Sequence, residues 1–111
     1  MTSRNALLSV ALLASCHTYT DAGIETVRKN EPDFRLCLQE AASRNPNVRG
    51  TLELSFEIGG KGDVLSLKPT ADDFRDAAFT TCALAKAKAW TFPPPKNGKT
   101  ARFSYKFSLN R

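Results

Sequence analysis

Histidine is almost missing from this chain of 111 residues: the single one, His17, lies beside a processing motif. The three cysteines, Cys16, Cys37 and Cys82, form no CxxC pair. A zinc site therefore lacks ligands, and no cofactor or metal is expected. Long hydrophobic runs are also lacking. The longest apolar stretch, residues 6–14, is about nine residues with Ser9 inside it, against the roughly 20 that a bilayer-spanning helix needs. Acids disappear altogether from Lys86 onward, where Lys86, Lys88, Lys96, Lys99, Arg102, Lys106 and Arg111 leave a one-sided positive charge. Upstream, Asp72, Asp73 and Asp76 read as the first turn of a helix, where they complement its dipole. Neighbours on one exposed turn do not converge across a cleft as a catalytic acid pair must. Glycine-rich signals are equally empty of chemistry. The Gly59-Gly60-Lys61-Gly62 run lies between two strands, with no helix start to hold phosphate. Gly98-Lys99-Thr100 would need an earlier glycine at the position of Pro93. The chain reads as non-enzymatic. What is present, 41% hydrophobic residues with seven phenylalanines, is enough for one packed domain and too much for a disordered chain.

The first 15 residues have the organisation of an export signal: a short basic start at Arg4, the apolar stretch, then small residues. Leu13-Ala14-Ser15-Cys16 resembles a bacterial lipoprotein box, in which the cysteine thiol takes a lipid and cleavage follows on its N-terminal side. Cys16 is thus the expected lipidation site. An ordinary cleaved signal with an incidental cysteine is the alternative, as is a buried apolar helix of a cytosolic protein. With Cys16 lipidated, Cys37 and Cys82 remain as an even pair in an oxidising compartment, where a disulfide can persist. The alternative for these two is a pair of buried thiols acting as small hydrophobes.

Residues 16–30 are polar and without a sustained period, and are expected to form a tether leading to a domain at 31–111. Pro32 and Asp33 suit a first helical turn, and Phe34, Cys37, Leu38 and Ala41 recur at helical spacing. Asn45-Pro46 ends that helix, predicted over 31–44. Leu52, Leu54, Phe56 and Ile58 then alternate with polar residues as in a half-buried strand. The glycine-rich turn leads to a second strand at 64–68. A second helix is predicted over 72–89, capped by Thr70 or Asp72, with Phe79, Cys82, Ala83 and Lys86 on its apolar stripe. A disulfide between Cys37 and Cys82 would staple the two helices. Trp90 and Phe92 leave the second helix before a proline run, and Trp90 is expected to be buried. Ala101, Phe103, Tyr105, Phe107 and Leu109 share one face of a final strand, with Arg102, Ser104 and Lys106 on the other. The predicted fold class is α+β: two helices packed on a small antiparallel sheet, in the order helix, strand, strand, helix, strand.

Residues 34–109 resemble the C-terminal domain of TonB, and more closely the TonB-like AgmX/PglI C-terminal domain. The landmarks are Cys37, Asn45-Pro46, Gly50, Phe56-Glu57-Ile58, Gly62, Val64, Cys82, the motif Trp90-Thr91-Phe92-Pro93-Pro94 and the closing Phe103-Ser104-Tyr105-Lys106-Phe107. The resemblance implies the same element order and a role in binding envelope proteins. TonB transducers carry a membrane helix and a long proline-rich spacer that this sequence lacks. The resemblance also implies capture of an extended partner segment along the edge of the last strand, with Arg102, Ser104 and Lys106 as the candidate binding edge, and it leaves a homodimer through the same edge open. The competing reading is a structural or wall-associated lipoprotein whose basic surface meets anionic glycan or lipid. No nucleic acid partner is expected, because export removes the target and no strand interleaves outward aromatics with basic residues. His17 follows Cys16 where an aspartate would suggest inner-membrane retention, so the expected address is the outer membrane, facing the periplasm.

Overall fold

A computed structural model describes residues 19–109. The signal at 1–15, Cys16 and His17 lie outside the described residues. Three helices cover one face of a three-stranded antiparallel sheet, in the order α1 (Tyr19–Lys29), α2 (Glu31–Arg44), β1 (Gly50–Ile58), β2 (Val64–Asp72), α3 (Ala77–Lys88) and β3 (Ala101–Leu109). The α+β class and the order from α2 to β3 are as predicted. No helix among the described residues is long and apolar enough to cross a membrane.

α1 corrects the sequence reading, which made this segment a tether. Tyr19, Gly23 and Val27 recur every four residues, and Gly23 and Val27 are buried. The stripe is hard to see in sequence because its centre has no side chain. That absence is what the packing requires: a Cβ on Gly23 would lie 2.6 Å from the Phe103 ring. Asp21 in the first turn and Arg28 and Lys29 in the last complement the dipole. Asn30 joins α1 to α2, its side-chain amide donating to the Thr26 carbonyl at 2.9 Å, and Pro32 enters the first turn of α2, where a missing N–H is harmless.

α2 buries Phe34, Cys37 and Ala41 and stops at Asn45, held extended before Pro46. β1 is the central strand, and Leu52, Leu54, Phe56 and Ile58 are all 1% exposed or less. The turn at 59–63 closes with the Gly59 amide on the Asp63 carbonyl at 2.8 Å. Gly62, at φ 87°, is pressed against the chain after α3, with its carbonyl accepting the Phe92 amide at 2.9 Å.

The boundary between β2 and α3 is the second correction. β2 continues through Pro69 and Thr70 to Asp72, and α3 begins at Ala77 instead of 72. Pro69 does not break β2 because β2 is an edge strand, where a proline can sit without costing a ladder bond. The three acids therefore divide their work. Asp72 accepts the Phe74 amide at 3.1 Å, Asp73 accepts the Thr51 amide of β1, and Asp76 caps α3 by accepting the Phe79 amide at 3.0 Å.

α3 turns Phe79, Ala83 and Ala87 inward. Cys37 and Cys82 stand at disulfide distance, with Cα atoms 5.7 Å apart, between α2 and α3. The helices form a layer in which α1 lies against β3, α2 against α3, and α3 against β2. Trp90, 6% exposed, closes the core as the sequence predicts. Its ring centroid is 5.0 Å from that of Phe34, and its indole N–H donates to Asp33 at 2.8 Å.

Candidate functional site: the outer edge of the last strand

β1 pairs with β3 over nine residues without a register shift, from Gly50 opposite Leu109 to Ile58 opposite Ala101. The direction of each β3 backbone group follows from β1. The Thr51 carbonyl accepts from Asp73 and the Gly59 amide donates to Asp63, so these odd-numbered residues face β2. Hydrogen-bonding direction alternates along an antiparallel strand. Leu52, Leu54 and Phe56 therefore face β3, where they meet Phe107, Tyr105 and Phe103. The N–H and C=O groups of Arg102, Ser104, Lys106 and Ser108 consequently point away from the sheet, and they have no backbone partner among the described residues.

The other edge, on β2, is different. Its pairing with β1 is interrupted by two irregularities, and Pro69 removes a donor from it. Bulges and proline are the usual means of closing an edge to further pairing. The β3 edge carries no such interruption over Ala101–Leu109.

The side chains of Arg102, Ser104 and Lys106 are all exposed, on the sheet face opposite the helices. Strand register corrects the expectation of a one-sided charge. Arg102 stands opposite Glu57, and its guanidinium nitrogens lie 3.0 and 3.3 Å from the Glu57 carboxylate. Lys106 stands opposite Glu53, which accepts the Thr70 hydroxyl at 2.8 Å. The acids missing from the C-terminal sequence are supplied by β1, so this face carries both signs. Ser104 lies opposite Ser55, and Thr51 and Ser108 share a hydroxyl contact at 3.1 Å.

Two tyrosines fix the inner side of β3. Tyr105 donates its hydroxyl to Glu31 at 2.7 Å, and burial together with that hydrogen bond pushes its pKa up to about 12. Tyr19 donates to the Pro93 carbonyl at 2.7 Å, and burial raises its pKa as well. Arg44 clamps Asp76 at 2.8 and 2.9 Å. That bond, with the Phe79 amide, holds the carboxyl below the usual range. Of the family-motif residues, Phe92 is buried and Pro93 exposed. They belong to the support of the hairpin tip and of α1, away from the outer face of β3. Tyr19 and Gly23 were missed by the sequence reading, and the signal that could have found them is the four-residue spacing to Val27.

No family model matches the chain. No curated protein matches it either. Two solved chains match. One is the solution structure of the Helicobacter pylori TonB-CTD (residues 179–285), at 13% identity, covering 75% of this chain and 81% of that one, with a TM-score of 0.45.

Proposed function

We propose that the chain is a non-enzymatic, lipid-anchored protein of the cell envelope whose domain binds an extended segment of a partner envelope protein by strand addition along β3. The observation that carries this reading is the outer edge of β3, unbroken over nine residues and with backbone groups unpaired among the described residues. Added backbone hydrogen bonds would supply affinity and the exposed alternate side chains selectivity. The motif resemblance of residues 34–109 to TonB C-terminal domains supports the same reading. The Leu13-Ala14-Ser15-Cys16 box supports an anchor, and His17 in place of an aspartate after it supports the outer membrane as its address. The competing reading, a wall-contacting protein with a basic surface, has less support at this face because Glu57 engages Arg102.

Ser104→Pro removes one N–H from the outer edge without touching the pairing to β1. Arg102→Gln with Lys106→Gln removes charge and keeps every backbone donor. Capture of the envelope partner by the proline variant should fall by about tenfold or more, in line with losing a hydrogen bond and its neighbours' geometry. The glutamine variant should retain most capture, and both should keep the emission of a buried Trp90. If the folded proline variant still binds and the glutamine variant does not, strand addition is wrong and the basic-surface reading replaces it.

A further inference from the structure

Four segments meet at one end of the domain. The hairpin tip at 59–63 lies against the chain after α3, so closely that a Cβ on Gly60 would come within 2.5 Å of the Gly98 carbonyl oxygen. β3 starts here, with Ala101 opposite Ile58 at the end of β1. α1 also starts here, because Tyr19 is bonded to Pro93 and its ring centroid is 6.3 Å from that of Phe103. Lys61, Lys96 and Lys99 stand on this end, all exposed and none in an ion pair among the described residues. Beside them Leu65, 54% exposed, lies over Gly59. The nearby acids are Asp63 in the hairpin and Asp21 in the first turn of α1.

Tyr19 follows Cys16 by three residues, a distance that extended chain covers in about 10 Å. Because α1 replaces most of the expected tether, a lipid on Cys16 would be joined to the described domain by no more than about 10 Å of chain. It would bring this end, with its lysines, to the membrane surface.

We propose that this end of the domain rests on anionic phospholipid, with Lys61, Lys96 and Lys99 among the headgroups and Leu65 at the acyl boundary. The inference depends on the lipidation of Cys16 in the proposed function. A lipid chain and a basic patch together are the usual pair of signals for firm attachment. Each lysine near an anionic surface contributes about a fivefold preference for it, over a range of roughly 8–10 Å in physiological salt. In this orientation β3 runs away from the bilayer and its outer edge stays open to a partner.

The test is amine-acetylation footprinting of the full lipidated protein in vesicles of phosphatidylcholine alone and of phosphatidylcholine with phosphatidylglycerol. Lys68 and Lys106, in the middle of their strands, serve as internal references. Phosphatidylglycerol should slow acetylation of Lys61, Lys96 and Lys99 by about fivefold against the references, and high salt should abolish the effect. The mass of the N-terminal peptide reads the lipid independently. A lipidated Cys16 with no phosphatidylglycerol-dependent slowing of Lys61, Lys96 and Lys99 against the references overturns the seating and leaves the anchor standing, whereas an unmodified Cys16 overturns both. Protection by purified cell wall and not by phosphatidylglycerol overturns the seating in favour of a glycan contact.

Discussion

At Tyr105 one side chain serves both layers: its ring lies on the inner face of β3, and its hydroxyl donates to Glu31 at the start of α2. The burial and the bond favour the neutral phenol, so the folded state holds this proton more tightly than the unfolded chain does. Its contribution to stability is complete below the ordinary tyrosine pKa of 10.0 and is lost as pH rises from there through about 12. Unfolding midpoints measured across that window should fall for the native protein and fall less for Tyr105→Phe. Equal slopes would show that another group controls the alkaline limit. At the acid end the sign reverses. Asp76, held ionised by Arg44 and the Phe79 amide, contributes above its unfolded pKa, and that contribution disappears as pH drops through its lowered folded value.

At the scale of elements, α1 depends on close approach. Gly23 costs intrinsic helix stability of about 1 kcal/mol relative to alanine, yet no side chain fits between the helix and the Phe103 ring. Gly23→Val should lower stability by roughly 1–3 kcal/mol, as overpacking does, and should release α1 from β3. Urea denaturation with amide exchange of residues 19–29 measures both, and an unchanged midpoint would mean that α1 does not need this contact. The same element shows what a single sequence can display. The alternation of large apolar residues in β1 and β3 was legible because a period of two in Leu, Phe and Ile lines one face of a pleated strand and would scatter around a helix. α2 was legible because Pro32 and Asn45-Pro46 bracket it. α1 was not, since a stripe centred on glycine carries almost no hydrophobic signal. The end of β2 was misread because Pro69-Thr70 looks like a break, and only knowledge that β2 is an edge strand makes proline harmless there. The pairing of Arg102 with Glu57 depends on cross-strand register between segments 45 residues apart in sequence, which composition alone does not contain.

Over the whole molecule, Cys37 and Cys82 stand at disulfide distance, and a bridge between them would tie the two halves of the helical layer across 45 residues. In the chain-entropy account, closing such a loop is worth about 4 kcal/mol. Non-reducing peptide mapping of exported protein should find the two residues linked, and reduction should lower the melting temperature. Free thiols at both positions in folded protein would exclude the bridge. Beneath the packed α2 and α3, the sheet offers one irregular edge at β2 and one regular edge at β3, and of the two the second is suited to receive another strand.

Residue-resolved amide exchange along β3, before and after adding the captured envelope partner, tests that edge most directly. In the free protein Phe103, Tyr105 and Phe107 should exchange slowly and Arg102, Ser104, Lys106 and Ser108 quickly, because only the first set donates to β1. Binding should protect the second set and leave the first unchanged. If the second set is already protected in the free protein, or stays fast when the partner is bound, the edge of β3 is not the binding site.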